Sequence, residues 1–544
     1  MSSGRKDEFD FAGSKPFLFD PILSSTSAVG VAKAHQGLPP GNHPASDSKI
    51  RKSLIWKLTG TSLIFLTPLI TYWPTIFHYY GLRDSYSNLR ESHEEQGKLI
   101  QFCASHARPI YGWLLEVTLR RIDTIHQLQW IRLLSALLLG AVSLATYRLV
   151  RRIGWSASCG LLLALWLSLL PSAQVVAGWA IGWPYSVAVL TALAAFFFAE
   201  RALRPEQSIP QGIGAVVLVA TSALIYQPNA LFYAVPVAAA LVARRTSRPR
   251  DDVHWVLCHV VVLTAGLLVA YCTIQACYLA GVFHRSARVA FETHWLEKFA
   301  WFLKAPLPNA LSQFVINDDH GRDRPAYLAG AALSGLILFS GAALEARSRG
   351  WKHGLIWLTG LFCLPILAFA ISLLAAERYS TYRTIFSLTC VLLCFLLASL
   401  RLMLARVGSR TKRIAAAAVI ATALIVARRR AFALLAVPQG NEWRLFLEGA
   451  KKVNLASARP SIFAIEPTPE DISTTTIYHD EFGSLSSNSD WVPKEMFKRA
   501  LHDLHPEMPN LDQRYCFASG PRLPSGRFDV VIDLRTLRNL RTND

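Results

Sequence analysis

Long apolar runs, separated by short segments rich in arginine, recur along the chain from about Leu58 onward. Each long run approaches the roughly 20 residues that a helix needs to cross the hydrocarbon core of a bilayer. Only 17% of the 544 residues are charged, which is below the roughly 25% typical of soluble domains. This pattern predicts a mainly α-helical polytopic membrane protein.

Helices of this length, placed on the apolar runs, give eleven spans. They cover about residues 58–78, 128–147, 155–171, 183–199, 211–227, 229–243, 254–280, 326–344, 354–376, 382–400 and 412–430. The last apolar stretch, Ile414–Ala427, is short and three arginines follow it, so the number of spans near 412–430 stays open.

Positive charge is distributed unevenly between the two sets of loops. One set carries 20 Lys and Arg residues, whereas the short turns at 172–182 and 226–229 in the other set carry none. Because Lys and Arg mark the cytoplasmic side, the N-terminus is predicted to be cytoplasmic. An odd number of spans then places the C-terminus outside, together with the loops 79–127 and 281–325.

The spans divide the chain into three parts. Residues 1–53, which are rich in Ser, Gly and Pro and have no signal peptide, are interpreted as a disordered cytoplasmic tail. Residues 54–435 form the transmembrane domain. Residues 436–544 are predicted to form a small extracytoplasmic α/β domain, because "SIFAIEP", "RYCFA" and "RFDVVIDL" are typical of strands and "PKEMFKRALHDL" of a helix.

The formal net charge of +19 would indicate nucleic acid in a soluble protein. Here the excess lies in short clusters between apolar runs, so membrane topology accounts for it and no nucleic acid is expected as a partner. The sequence also lacks the GxxxxGK[ST], GxGxxG, HExxH and GxSxG motifs. Their absence argues against an ATP-driven pump, a Rossmann-type nucleotide-sugar enzyme and the commonest proteases and hydrolases.

Polar residues at the outer ends of the spans are therefore the candidates for chemistry. Asp84 follows Arg83 just beyond the first span. A carboxylate there could accept a proton from a hydroxyl nucleophile or hold a divalent cation. The alternative is an interfacial Asp that is paired with Arg83 or Arg90.

The segment "AAERYSTYRTIF" carries Arg378 and Arg383 on the side where positive charge is otherwise scarce. Arginine forms bidentate contacts with phosphate oxygens, so a lipid phosphate or diphosphate could bind here. The alternative is an interface anchor, or a pair between Arg378 and Glu377.

Two short outer turns and one acidic turn are the remaining candidates for a functional site. The turns "GWAIGWPYS" and "IYQPNALFY" offer aromatic faces with polar edges, as sugar-binding sites do, although aromatic belts have the same composition without any ligand. The turn "NDDHGRDRP" could form a second acidic or metal site, or a solvated loop.

Together these segments resemble the polytopic glycosyltransferases of the GT-C fold, and in particular the bacterial glucosyltransferases that modify O-antigen. The resemblance rests on "RDSYSNLRE", "ARPIYGWLLE", "YQPN" and "ERYSTYR", and it covers roughly residues 58–400. Many members carry an Asp-x-Asp or a paired acidic motif in the first loop, where this chain has Arg-Asp-Ser. The difference leaves Asp84 at the place of the family's catalytic Asp and leaves a need for Mg²⁺ or Mn²⁺ open.

The resemblance implies an enzyme of the bacterial inner membrane that uses a polyprenyl-phosphate sugar as donor. The sugar would pass to a cell-envelope glycan or lipid in a single inverting displacement, with Asp84 as the base. The donor phosphate would be held by Arg378, Arg383 and Arg83. The sugar or the acceptor would be bound by Tyr226, Gln227, Trp183, Tyr185, Asp318 and Asp319.

Three other functions stay open at this point. A transporter or flippase of lipid-linked sugars would need a similar cavity, but inverted repeats are frequent in transporters and none is evident here. An O-antigen ligase or polymerase would also use lipid-linked sugars from outside. A non-catalytic membrane scaffold is the third alternative, since polar loops alone do not make an enzyme.

Overall fold

The computed structural model describes residues 44–204, 209–244, 249–317, 324–456, 459–466, 481–508 and 511–537. The protein is mostly helical, at 74%. Among the described residues, six helices are long and apolar enough to cross a membrane, and the count is seven if one bent pair forms a single span. By length and composition these are the helices of a helical membrane protein.

The helices of the first half are numbered in chain order. They are α1 Pro44–Ile76, α2 Ser85–Glu94, α3 Lys98–Ser105, α4 Pro109–Leu119, α5 Leu128–Arg152, α6 Ala157–Leu169, α7 Pro171–Gly178, α8 Trp183–Ala202, α9 Ile209–Ala230, α10 Ala234–Ala243 and α11 Pro249–Leu279. The expected tail extends to residue 53, whereas α1 already begins at Pro44; residues 1–43 lie outside the described residues.

The second half continues this numbering and adds three strands. The helices are α12 Trp295–Lys304, α13 Pro306–Leu311, α14 Arg324–Arg349, α15 Trp351–Leu367, α16 Ala370–Leu374, α17 Phe386–Met403, α18 Ser409–Arg430, α19 Val437–Lys451 and α20 Val492–Leu504. The strands are β1 Ser461–Ile465, β2 Cys516–Gly520 and β3 Val530–Asp533.

Six or seven candidate spans are fewer than the eleven expected from the apolar runs; α1, which contains the first expected span, is not among them, and local features explain the other differences. The 17 residues of α15 make it a short apolar helix. In α18 the apolar stretch is bounded by basic residues on both sides. The helices α6 and α7 are bent by 53° at Pro171, and Ile209–Ala243 counts as one apolar stretch.

That stretch is interrupted at Tyr226. The backbone of Tyr226 is extended (φ −157°, ψ 108°), so two helices meet at a kink within α9. Pro228 follows two residues later and cannot donate a backbone hydrogen bond to the helix. At this kink the ring of Tyr226 contacts Tyr111 of α4 and Tyr185 of α8.

The three strands form a parallel sheet in the order β2-β1-β3. The helices α19 and α20 pack on this part of the chain, and Arg90 of α2 forms an ion pair with Glu495 of α20 at 2.8 Å. One hydrophobic cluster extends without a break from the apolar helices to Ile462 of β1 and Phe497 of α20. The C-terminal segments therefore share a core with the helices instead of standing apart from them.

Candidate functional site

The turn that leads to Asp84 is held by a buried arginine. Arg132 at the start of α5 is 1% exposed, and its guanidinium donates to three backbone carbonyls at the end of α1. The acceptors are the carbonyls of Ile76 at 2.9 Å, His78 at 2.6 Å and Tyr80 at 2.9 Å. Ile76 is the last residue of α1, so its carbonyl lacks an intrahelical partner, whereas His78 and Tyr80 lie in the turn beyond it; one cation therefore fixes the helix end and the turn together.

Asp84 immediately precedes α2 and follows a residue with an unusual backbone conformation. Arg83 has φ +42°, in the left-handed region that few residues other than glycine adopt. The half-buried Asp84 occupies the position that precedes the first turn of α2, and its backbone carbonyl accepts from the amide of Asn88 at 2.9 Å. Such backbone conformations are often found at functional sites, where the surroundings hold them in place.

A segment from the C-terminal part of the chain, residues 481–488, lies against this turn. The backbone amide of Arg83 donates to Ser486 Oγ at 2.8 Å, and its guanidinium donates to Ser484 Oγ at 2.9 Å. The carboxylate of Glu442 in α19 accepts from the backbone amides of Ser486 and Ser487, both at 2.9 Å. The segment is therefore fixed between α19 and the residue before Asp84.

Arg383 lies just before α17 and is enclosed by an aromatic ring and a carboxylate. Its guanidinium lies 4.4 Å from the ring centre of Trp179, and Nη1 lies 3.2 Å from Glu481 Oε1. A further hydrogen bond joins Nη2 to the hydroxyl of Tyr379 at 2.6 Å. The side chain of Glu481 is only 1% exposed, so the pair is almost fully desolvated.

Three tyrosines from different helices form a cluster beside Arg383. The rings of Tyr185 and Tyr226 are 4.2 Å apart, and the ring of Tyr111 stacks on Tyr185 at 5.5 Å. The Tyr111 hydroxyl donates to the carbonyl of Ile181 at 2.9 Å. All three rings are buried, so the cluster is a packed aromatic group with polar edges, a composition suited to the flat face of a sugar ring.

Arg108, between α3 and α4, faces the same cluster. Its guanidinium lies 5.5 Å from the ring centre of Tyr226 and 5.9 Å from that of Tyr111. Within the described ranges, Arg108 forms no ion pair with a carboxylate. A half-buried cation held mainly by aromatic faces keeps its hydrogen-bond donors available for an anionic ligand.

Gln227 holds the backbone that precedes Arg108. Its side-chain amide donates to the carbonyls of His106 at 3.3 Å and Ala107 at 2.7 Å. Ala107 has φ +61°, so this turn also adopts the left-handed conformation. Burial lowers the pKa of His106, and the positive charges of Arg108 and Arg288 act in the same direction. Gln227 therefore positions the turn that carries Arg108.

Electrostatic interactions connect these groups into one region. Tyr226 is close enough to interact with both Arg108 and Arg383. The thiol of Cys103 interacts with Arg108 and with Asp84, and burial raises its pKa to about 11. Arg108 and Arg383 thus both lie beside the tyrosine cluster, and Asp84 is linked to this region through its electrostatic interaction with Cys103.

The other residues expected from the sequence are placed differently. Arg378 lies on the surface, where it forms an ion pair with Glu297 of α12 at 2.7 Å and approaches Glu292 at 4.0 Å. Trp183 is buried at the start of α8, and its indole nitrogen has no hydrogen-bond partner among the described residues. Asp318 and Asp319 lie outside the described residues.

Two residues of the site were not among those expected from the sequence. Arg108 stands in "ARPIYGWLLE", a segment that carries the resemblance, but its charge alone did not distinguish it from other loop arginines. Glu481 stands in the polar stretch after β1, and no spacing or motif links it to Arg383. Only the folded chain brings these two residues to the tyrosine cluster.

Among the residues that the structure describes, no group of three or more His, Cys, Asp or Glu side chains could hold a metal ion. Asp84 is the carboxylate of this site that could supply an oxygen ligand to a divalent cation, and Glu481 is engaged with Arg383.

The chain matches no protein-family model, no curated protein and no solved structure.

Proposed function

We propose that the protein is a membrane glycosyltransferase that moves a sugar from a polyprenyl-phosphate donor to a cell-envelope glycan or lipid. The observation that supports this most is that Arg108 and Arg383 both lie beside Tyr226 in a helical membrane protein, with Asp84 within electrostatic range of the neighbouring Cys103. The transfer needs a base for the acceptor hydroxyl, cations for the donor phosphate and aromatic rings that contact the sugar.

The two arginines would hold the donor phosphate. Arg108 has guanidinium donors without a carboxylate partner in the described part of the chain, and Arg383 interacts with the same Tyr226. Guanidinium groups bind phosphate oxygens in a bidentate manner and stabilise the charge that develops on a phosphate leaving group. Tyr185 and Tyr226 would then contact the sugar ring, as the "YQPN" segment suggests.

Asp84 would act as the general base. It takes the proton of an acceptor hydroxyl while the hydroxyl oxygen forms a bond to the anomeric carbon. The bond from that carbon to the phosphate oxygen breaks, and polyprenyl phosphate leaves with the electron pair. One displacement inverts the anomeric centre, and a positioned base of this kind contributes about 10²- to 10⁴-fold to the rate.

The finer topology belongs to the same proposal. The chain would cross a bacterial inner membrane eleven times in a GT-C arrangement, with the N-terminus in the cytoplasm and residues 436–544 on the periplasmic side. The strong Lys and Arg bias of the loops supports this orientation. The contact of residues 481–488 with Arg83 supports a tail that lies on the side of the reaction.

A reconstituted system tests the proposal. Purified full-length protein in proteoliposomes is supplied with a radiolabelled polyprenyl-phosphate sugar and a cell-envelope extract as acceptor. Transfer of label to the acceptor, with release of polyprenyl phosphate, is the expected result. Movement of intact labelled donor across the bilayer without transfer would instead show a flippase, and would contradict the proposal.

A further inference from the structure

A cavity that does not include the tyrosine cluster lies between the ends of four helices. Its volume is about 380 Å³, which falls within the range of about 300–1,000 Å³ that is common for ligand sites. The lining residues are Val242, Glu345, Ser348, Arg349, Trp357, Ala398, Arg401 and Leu402. They come from the C-terminal ends of α10, α14 and α17 and from the first half of α15.

The course of α17 separates this cavity from the candidate active site. Arg383 precedes the first residue of α17, whereas Arg401 stands in its last turn. The segment Phe386–Arg401 rises about 22 Å at about 1.5 Å per residue. The two sites thus lie near opposite ends of one apolar helix, and the sequence predicts that the end with Arg401 is cytoplasmic.

The polar lining carries an excess of positive charge. Arg349 forms an ion pair with Glu345 at 2.7 Å and also donates to the carbonyl of Arg244 at 3.2 Å. Arg401 has no ion pair or hydrogen bond within the described part of the chain. The single carboxylate of the lining is therefore already neutralised, and one guanidinium group remains for a ligand.

Apart from Ser348, the remaining lining residues are apolar, and they limit what kind of ligand fits. Val242, Ala398 and Leu402 provide aliphatic surface, and Trp357, which packs on Phe395 at 5.7 Å, provides an aromatic wall. A single water molecule occupies about 30 Å³, so the cavity is much larger than a water site. A ligand with an anionic head and an adjoining apolar part matches this combination.

We propose that this cavity binds the phosphate group of an anionic phospholipid. Basic pockets between transmembrane helices on the cytoplasmic side are suited to anionic head groups, because guanidinium groups such as that of the exposed Arg401 can form charge-assisted hydrogen bonds with phosphate oxygens. Arg401 contacts the phosphate, and the aliphatic wall contacts the glycerol and the first acyl carbons. A soluble phosphate ester offers the same phosphate chemistry without the acyl carbons. This proposal does not depend on sugar transfer.

Native mass spectrometry of the full-length protein in detergent tests the proposal with phosphatidylglycerol, phosphatidylcholine and glycerol 3-phosphate as probes. The variants are Arg401→Gln, which removes the free cation, and Ser348→Leu, which fills part of the cavity. Arg406→Gln, a loss of positive charge outside the lining, is the matched control. Thermal unfolding of each variant shows that it is folded before binding is measured.

We expect phosphatidylglycerol to bind roughly tenfold more tightly than phosphatidylcholine, and Arg401→Gln to lose most of this difference while Arg406→Gln keeps it. Ser348→Leu should weaken binding as well. Equal binding of glycerol 3-phosphate would support the phosphate site and identify a soluble ligand as its source. The proposal is overturned if phosphatidylglycerol and phosphatidylcholine bind alike, or if Arg401→Gln and Ser348→Leu behave as the control does.

Discussion

Arg383 and Glu481 form an ion pair at 3.2 Å between the start of α17 and the segment that follows β1. Removing one partner of a buried pair leaves an uncompensated charge and costs about 3 kcal/mol. Glu481→Gln should therefore lower the thermal midpoint of the protein in detergent. The double variant Arg383→Gln/Glu481→Gln should recover part of the loss, since no lone charge remains. A midpoint of Glu481→Gln equal to that of the wild type would contradict this interpretation of the pair.

Arg108 is expected to determine the affinity for the donor. Arg108→Gln should raise the KM for a polyprenyl-phosphate sugar roughly tenfold, because charge-assisted contacts to phosphate contribute about 1.5–3 kcal/mol. Arg108→Lys keeps the charge but loses the planar fork, so its effect should be smaller.

Arg378→Gln is the matched control for this prediction, because Arg378 is engaged with Glu297 on the surface. Its effect on KM should be clearly smaller than that of Arg108→Gln. Steady-state kinetics with varied donor concentration measures both. A larger rise in KM for Arg378→Gln than for Arg108→Gln would contradict this prediction. It would instead indicate that the donor phosphate binds at Arg378.

The three carbonyls bound by Arg132 make this side chain a positioning residue for Asp84. A lysine cannot reach all three acceptors with one ammonium group, and each buried carbonyl left unpaired costs about 1–3 kcal/mol. Arg132→Lys should therefore lower the thermal midpoint strongly. Arg148→Lys, at an exposed position of the same helix, should leave it unchanged. Equal midpoints for the two variants would refute this role.

The lowered pKa of His106 predicts a pH dependence of stability. Its pKa in the folded protein lies below the unfolded value of about 6.5, so folding favours the neutral imidazole. The contribution of His106 to the stability of the folded protein is complete above about pH 6.5, and it is lost as the pH falls through the pKa of the folded state. Thermal midpoints across this window should decline less steeply in His106→Gln than in the wild type. Identical slopes would show that His106 does not contribute.

Much of the helical architecture could be predicted from the sequence, because apolar runs of span length form helices wherever they occur. The number of spans was harder to predict. The short α15 and the bend at Pro171 differ little in composition from regular spans, and packing decides how such segments lie.

The candidate site was predictable only in part. Asp84 and Arg383 could be named because both stand at the ends of apolar runs, where charges are rare. Arg108 and Glu481 could not, since their roles arise from contacts with Tyr226 and Arg383 that are distant in sequence. Gln227 was expected to contact sugar, whereas its amide holds the backbone before Arg108.

The central claim is that Asp84 is the base of a sugar transfer. The most direct measurement compares wild type, Asp84→Asn and the control Asp123→Asn, an exposed carboxylate near the end of α4, in the reconstituted transfer assay. Asparagine keeps the size of the side chain but cannot accept the proton, so the turnover rate should fall about 10²- to 10⁴-fold with little change in donor affinity. Asp123→Asn should keep the wild-type rate. Full turnover by a folded Asp84→Asn protein would contradict the account.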